Sequence, residues 1–283
     1  MCLLRLRLAQ VPATMMLFTI TACSTGGRTA SDTTTAMRTD TTTRADSLGG
    51  MSGSVRASNE QAKVLDELAA LGGKPLDTLS PEEARRQPTP ADAVKRVLQK
   101  NEASVAPEAV GKVANRTIAG PGGVLPVRIY TPAGSGPFPV IVYFHGGGFV
   151  IATIDTYDAS ARALANAAGA VVMSVEYRKA PEHKFPAAHD DAYAAYLWAV
   201  RNASQIGGDS TRIALVGESA GGNLALATAM QVRGSTGVRP PVSIVAVYPV
   251  GGSDTTTESY TRNALAKPLN RPIMTWFFRH YTR

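Results

Sequence analysis

The chain has 283 residues, 44% of them hydrophobic and 18% charged, enough for one medium-sized domain with a substantial core. That composition excludes a wholly disordered chain, a collagen-like chain and a polytopic membrane protein. The formal charge of +7 comes from 29 Lys+Arg against 22 Asp+Glu, spread without a dense basic run, so no nucleic-acid partner is expected. The two cysteines, Cys2 and Cys23, sit at the far N-terminus, which leaves the body without a disulfide staple or a cysteine-based metal site.

Arg5 and Arg7 precede a mostly apolar stretch, residues 11–22, that is too short to span a bilayer. It ends in Ile20-Thr21-Ala22-Cys23, which resembles the lipobox of bacterial lipoproteins. The resemblance implies that residues 1–22 are a lipoprotein signal peptide and that Cys23 becomes a lipidated first residue. The protein would then be held at the bacterial cell envelope, with Ser24 pointing to the outer membrane. The alternative is an ordinary secretory signal, with a secreted or periplasmic product. Residues 23–57 are rich in Thr, Ser, Gly, Ala and Arg and cannot bury enough apolar surface to offset chain entropy, so a disordered tether is expected there.

From residue 58 the pattern becomes that of a folded domain, 58–283. Val64, Leu65, Leu68 and Leu71 share a helical face closed by Gly72-Gly73, and Ser80-Pro81-Glu82-Glu83 reads as a capping box with proline at the first helical position. Ala93, Val94, Val97 and Leu98 make another short apolar stripe. Strands are predicted at 124–130, 139–145, 170–177, 212–217 and 242–248, the last four being nearly continuous apolar runs suited to parallel strands covered on both faces. Helices are predicted between them at 156–168, 187–203 and 220–232. This alternation points to an α/β fold with right-handed crossovers.

Two glycine-rich motifs follow apolar strands. Gly217-Glu218-Ser219-Ala220-Gly221 joins the strand 212–217 to a helix with almost no loop. A serine on so sharp a turn is pushed out of the sheet at a helix N-terminus, where the amide of Ala220 and the helix dipole face any anion that develops. The plain alternative is a tight strand–helix turn of a nucleotide-binding fold. His145-Gly146-Gly147-Gly148-Phe149 follows the strand 139–145, and its successive glycines let the backbone approach a ligand with its amides inward. A dinucleotide fingerprint fits poorly, because Ile151 stands where the third glycine is needed, and a P-loop lysine is missing. His145 is expected to brace the glycine loop rather than act as a base.

HGGGF, the run from Glu176 through Tyr177, Arg178, Pro181, Glu182, His183 and Phe185 to Ala187, and GESAGGN together resemble the hormone-sensitive-lipase-like bacterial esterases of the α/β-hydrolase fold, from about residue 59 to the end. The resemblance implies a mostly parallel sheet with helices on both faces and N-terminal cap helices at 58–110. It implies Ser219 as nucleophile, the amides of Gly147, Gly148 and Ala220 as an oxyanion hole, and His145, Gly146, Gly217 and Gly221 as motif support. It implies a small acyl ester as substrate, cleaved through an acyl-enzyme, with no metal or organic cofactor. Amide hydrolysis or acyl transfer would use the same groups. Ala152 and Glu218 depart from the family, which has glycine and more often aspartate there.

In that family the acid and the base follow the nucleophile, on loops after two further strands. Beyond Ser219 this sequence holds one aspartate, Asp254, one glutamate, Glu258, and one histidine, His280, and no strand pattern after Val250. The last strands are therefore expected to be missing, the chain stopping early, with residues 274–281 matching a cap-side helix that precedes them. A chain ending there would lack a working acid and base. Alternatively Asp254 and His280 serve as a substitute pair, or the protein is a non-catalytic envelope lipoprotein that binds an apolar ligand or partner.

Overall fold

The computed structural model describes residues 57–283. The expected signal peptide, Cys23 and all but the last residue of the expected tether lie outside the described residues. Among the described residues no helix is long and apolar enough to cross a membrane.

The domain begins with three helices: α1 (Asn59–Ala70), α2 (Pro81–Ala84) and α3 (Pro90–Lys100). Each starts in a capping box, in which Ser58, Ser80 and Thr89 exchange hydrogen bonds with Gln61, Glu83 and Asp92. These reciprocal bonds satisfy backbone donors that a short helix otherwise leaves free. Only the box at Ser80 was read from the sequence. No residue of α1 is buried, and α3 buries only Ala93 and Val94, so this segment lies over the body rather than inside it.

The body is one six-stranded sheet in the order β1-β2-β4-β3-β5-β6, made of β1 (Lys112–Gly120), β2 (Gly123–Thr131), β3 (Phe138–Phe144), β4 (Val171–Val175), β5 (Gly208–Glu218) and β6 (Ser243–Val247). The pairs β3–β4, β3–β5 and β5–β6 are parallel, whereas β1–β2 and β2–β4 are antiparallel. The chain passes from β3 to β4 through α4 (Asp158–Ala168), from β4 across β3 to β5 through α5 (Ala187–Asn202), and from β5 to β6 through α6 (Ala220–Arg233).

Alternation along β3 shows why both faces must be covered. Val140, Val142 and Phe144 join the larger core with Ala192 and Ala195 of α5 and Leu224 and Ala225 of α6. Ile141 and Tyr143 face the other way, into a smaller core with Ala161 and Ala165 of α4. Successive strand side chains point to opposite faces, so a strand with apolar residues at every position needs helices on both sides.

One expectation changes. β1 was not read as a strand, because its sequence KVANRTIAG mixes polar and apolar residues without regular alternation; it is an edge strand that buries one side chain, Ile118. β6 carries the apolar pattern of a covered strand, yet among the described residues it is the other edge, with Ile244 42% and Val245 47% exposed. Two further helices follow, α7 (Glu258–Arg262) and α8 (Arg271–Tyr281). The second returns to the larger core through Ile273, Trp276, Phe277 and Tyr281, and Trp276 Nε1 donates to the Leu79 carbonyl at 2.9 Å, which ties it to the N-terminal segment.

Leu215 is fully buried at the centre of β5, while Leu265 is 85% exposed. Leu215→Ala should lower the unfolding free energy by about 2–5 kcal/mol, from lost transfer energy and the cavity left behind. Leu265→Ala should change it by less than about 0.5 kcal/mol. Urea titration followed by circular dichroism measures both.

Candidate active site

β3 and β5 are parallel neighbours in register, with Phe144 opposite Gly217. The two loops that leave their C-terminal ends therefore emerge side by side: residues 145–152 after β3, and the turn into α6 after β5. The join is tight. A Cβ on Gly221 would lie 1.9 Å from the Phe144 carbonyl oxygen, and one on Gly217 would lie 2.2 Å from the Gly221 carbonyl oxygen. Both distances are impossible for a side chain, so the backbones of the two motifs touch only because these positions are glycine.

Ser219 occupies the apex with φ 54° and ψ −115°, a conformation that costs a non-glycine residue roughly 1–3 kcal/mol. Surrounding bonds hold it there. Its amide donates to the Val247 carbonyl at 2.9 Å, and its carbonyl accepts from Asn223 at 3.0 Å and Val250 at 3.1 Å. The end of β6 thus pins the turn from one side and α6 from the other. Ser219 Oγ hydrogen-bonds to no described residue, and Ala220, as the first residue of α6, has one of the helix's unclaimed amides.

In the neighbouring loop the Gly147 carbonyl accepts from the amides of Val150 (3.0 Å) and Ile151 (2.9 Å). Gly147 has φ 106°, and a Cβ there would meet the Ile151 carbonyl oxygen at 2.3 Å. The amides of Gly147 and Gly148 donate to no acceptor among the described residues. Ala152, at the family's usual glycine position, has φ 66°, so it carries left-handed backbone strain that glycine would not.

His145 is fully buried under this loop. Its Nδ1 donates to the Gly146 carbonyl at 2.7 Å, its ring stacks on Tyr177 at 4.4 Å, and the Tyr177 hydroxyl donates to the His145 carbonyl at 2.8 Å. Burial lowers its pKa to about 4, so it is neutral near pH 7. The residue between Gly217 and the serine is more elaborate than its sequence suggests. The Glu218 carboxylate accepts from the hydroxyls of Tyr143 (2.6 Å) and Tyr248 (3.2 Å), linking the ends of β3 and β6. Burial raises its pKa, against the pull of those two hydrogen bonds, and burial also raises both tyrosines.

None of the chain's four histidines hydrogen-bonds Ser219. His189 lines a cavity of about 200 Å³ with Phe149, Phe185, Asn223, Phe278 and Tyr281. Asn223 Nδ2 donates to the Val250 carbonyl, which leaves Oδ1 to accept from His189 Nε2 at 2.9 Å. Nδ1 of His189 must then accept from the Tyr281 hydroxyl at 2.8 Å, so both ring nitrogens are committed. His280 packs edge-on against Trp276, with ring centroids 4.5 Å apart, and Asp254 is exposed and accepts from Thr256 in its own loop. No hydrogen bond or ion pair joins Asp254, His280 and Ser219. Among the described residues no group of three or more His, Cys, Asp and Glu side chains is placed to hold a metal ion.

Residues 141–283 match the family described as the alpha/beta hydrolase fold. Carboxylesterase NlhH of Mycobacterium tuberculosis is 44% identical over 158 residues, which cover 56% of this chain and 49% of that protein. Human hormone-sensitive lipase is 41% identical over 110 residues, 39% of this chain and 10% of that one. Among solved structures, the hyperthermophilic esterase of the archaeon Pyrobaculum calidifontis superposes with a TM-score of 0.70 at 37% identity, covering 80% of this chain and 70% of that one. The chain spans about half the length of the first of these curated relatives.

Because burial holds the pKa of His145 near 4 instead of 6.5, the unfolded state binds more protons between those values. Its contribution is complete above about pH 6.5 and is lost as pH falls toward 4. Between pH 7 and 4.5 the wild type should therefore lose roughly 2–3 kcal/mol more stability than His145→Asn. Urea midpoints across that range, at constant ionic strength, give the comparison.

Proposed function

We propose that this chain, which belongs to the alpha/beta hydrolase fold family and within it to the hormone-sensitive-lipase-like esterases, is a serine hydrolase acting on carboxylic esters with short to medium acyl chains. The observation that carries the proposal is that the Ser219 turn and the glycine loop leave the C-terminal ends of two adjacent parallel strands side by side, with the amides of Gly147, Gly148 and Ala220 bonded to no described residue. In this reading Ser219 Oγ attacks the ester carbonyl carbon while its proton passes to a base, a role that no described residue fills by hydrogen-bonding to Ser219. The carbonyl oxygen becomes an oxyanion, stabilised by donors that are already oriented and need no rearrangement. Collapse expels the alcohol, which takes up the proton, and leaves an acyl group on Ser219. Water then releases the carboxylic acid and restores the serine.

The electrostatics support this assignment of roles. The dipole of α6 points its positive end at the oxyanion position. His145 beneath the loop is neutral near pH 7 and supplies no charge there. His189, with both nitrogens engaged, serves to fix Asn223 and the wall of the adjacent cavity. Lipid anchoring through Cys23, with localisation at the bacterial outer membrane, completes the proposal and rests on the lipobox-like sequence.

Hydrolysis of a p-nitrophenyl ester series and labelling by a fluorophosphonate probe test the nucleophile. Ser219→Ala should abolish labelling and lower kcat by about 10³-fold or more. Equal labelling of the two proteins would refute the assignment. For the anchor, Cys23→Ala should move the protein from the membrane fraction to the soluble fraction. Recovery of soluble wild type with a free Cys23 thiol would contradict it.

A further inference from the structure

Arg85 caps the end of α2, and its side chain reaches from the N-terminal segment into the body. Nε donates to the Val150 carbonyl at 2.8 Å, and Nη2 donates to the Ala180 carbonyl at 2.8 Å. Nη1 and Nη2 also hold the two oxygens of Glu182 at 2.8 and 2.7 Å. One planar guanidinium thus connects three separate places: α2, the loop after β3, and the segment 180–182.

The consequence for the glycine loop follows from its carbonyls. That of Gly147 is taken by Val150 and Ile151, that of Phe149 accepts from the Ala180 amide at 2.9 Å, and that of Val150 accepts from Arg85. Ala180 is itself held by Arg85, so the guanidinium supports two successive carbonyls, one directly and one through its neighbour. An amide shares its peptide plane with the carbonyl before it, so the held carbonyls of Phe149 and Val150 fix the planes of the Val150 and Ile151 amides, these two amides hold the Gly147 carbonyl, and that carbonyl fixes the plane of the free Gly148 amide.

We infer that Arg85 is a positioning residue that sets the orientation of the oxyanion-loop amides and couples that orientation to the docking of the N-terminal helices. The catalytic consequence rests on the reading of the loop proposed above; the positioning itself does not. A charge effect alone is the weaker explanation. Glu182 is 55% exposed, and an ion pair so open to water contributes little. The fork shape matters more: a lysine would keep the charge, but its single ammonium cannot reach acceptors on three residues. Arg86, the next residue, pairs only with Glu82 on the surface and provides an internal control.

The test compares wild type, Arg85→Lys, Arg85→Gln and Arg86→Lys by hydrogen–deuterium exchange and by kinetics on a short aryl ester. In both Arg85 variants, the hydrogen-bonded loop amides of Val150 and Ile151 should exchange about tenfold faster or more, while those of β3 and β5 keep their wild-type rates. kcat should fall about 10- to 100-fold with KM changed less than about threefold, because displaced oxyanion donors act on the transition state more than on binding. Arg86→Lys should match the wild type in both measurements. Unchanged loop exchange in Arg85→Lys would overturn the inference, and so would faster exchange spread equally over β3 and β5, which marks a general loss of stability. If the wild type hydrolyses the ester no faster than Ser219→Ala, it is the hydrolase reading that fails, and loop exchange alone decides the role of Arg85.

Discussion

The contact on which the site depends is the approach of the α6 backbone to the end of β3. Gly221 lies so close to the Phe144 carbonyl that a Cβ would fall 1.9 Å from its oxygen. This contact brings the first turn of α6 against the loop that follows β3, and it requires the two strands to be parallel, adjacent and in register. From that single constraint come the half-buried apex at Ser219, its strained φ, and the emergence side by side of two glycine-rich loops about 70 residues apart in sequence. Adjacent parallel strands need crossover helices, and those helices supply the cover that both faces of β3 require. The sheet topology and the site are therefore two expressions of one arrangement.

Strain at the apex is balanced by bonds that cost little elsewhere. The Ser219 amide and carbonyl are both occupied, by Val247 on one side and by Asn223 and Val250 on the other. Glu218 ties β3 to the segment after β6 through two tyrosine hydroxyls. Buried polar groups around the site are almost all satisfied, as a low-dielectric setting demands. His145 Nε2 is an exception, a buried nitrogen with no partner among the described residues. A neutral imidazole tolerates this far better than a charged one, which agrees with the lowered pKa.

Much of this arrangement was legible in the sequence because it rests on local rules. An apolar run ending in glycine, serine and glycine, followed at once by a helical pattern, specifies a sharp strand–helix turn; three glycines after a strand specify close backbone approach. The parts that stayed hidden depend on partners distant in the chain. β1 is an edge strand that buries one side chain and carries no regular alternation, so a periodic pattern could not reveal it. Arg85 sits beside Arg86 in a short capped helix, and nothing local distinguishes an arginine that grips Val150, Ala180 and Glu182 from one that meets only Glu82. Glu218 read as a minor departure from a motif, since its meaning lies in Tyr143 on β3 and Tyr248 just after β6. The covered-strand pattern of β6 was plain, but a pattern states what a strand needs and not which element meets that need.

The central claim is geometric: Ser219 and the amides of Gly147, Gly148 and Ala220 address one oxygen. A crystal structure of the protein after reaction with an aryl alkylphosphonate measures this directly. The account predicts a phosphonyl group on Ser219 Oγ, with its free oxygen about 2.7–3.1 Å from those amide nitrogens. An adduct whose oxygen points away from the glycine loop, or a loop whose carbonyls have rotated to face it, would contradict the account.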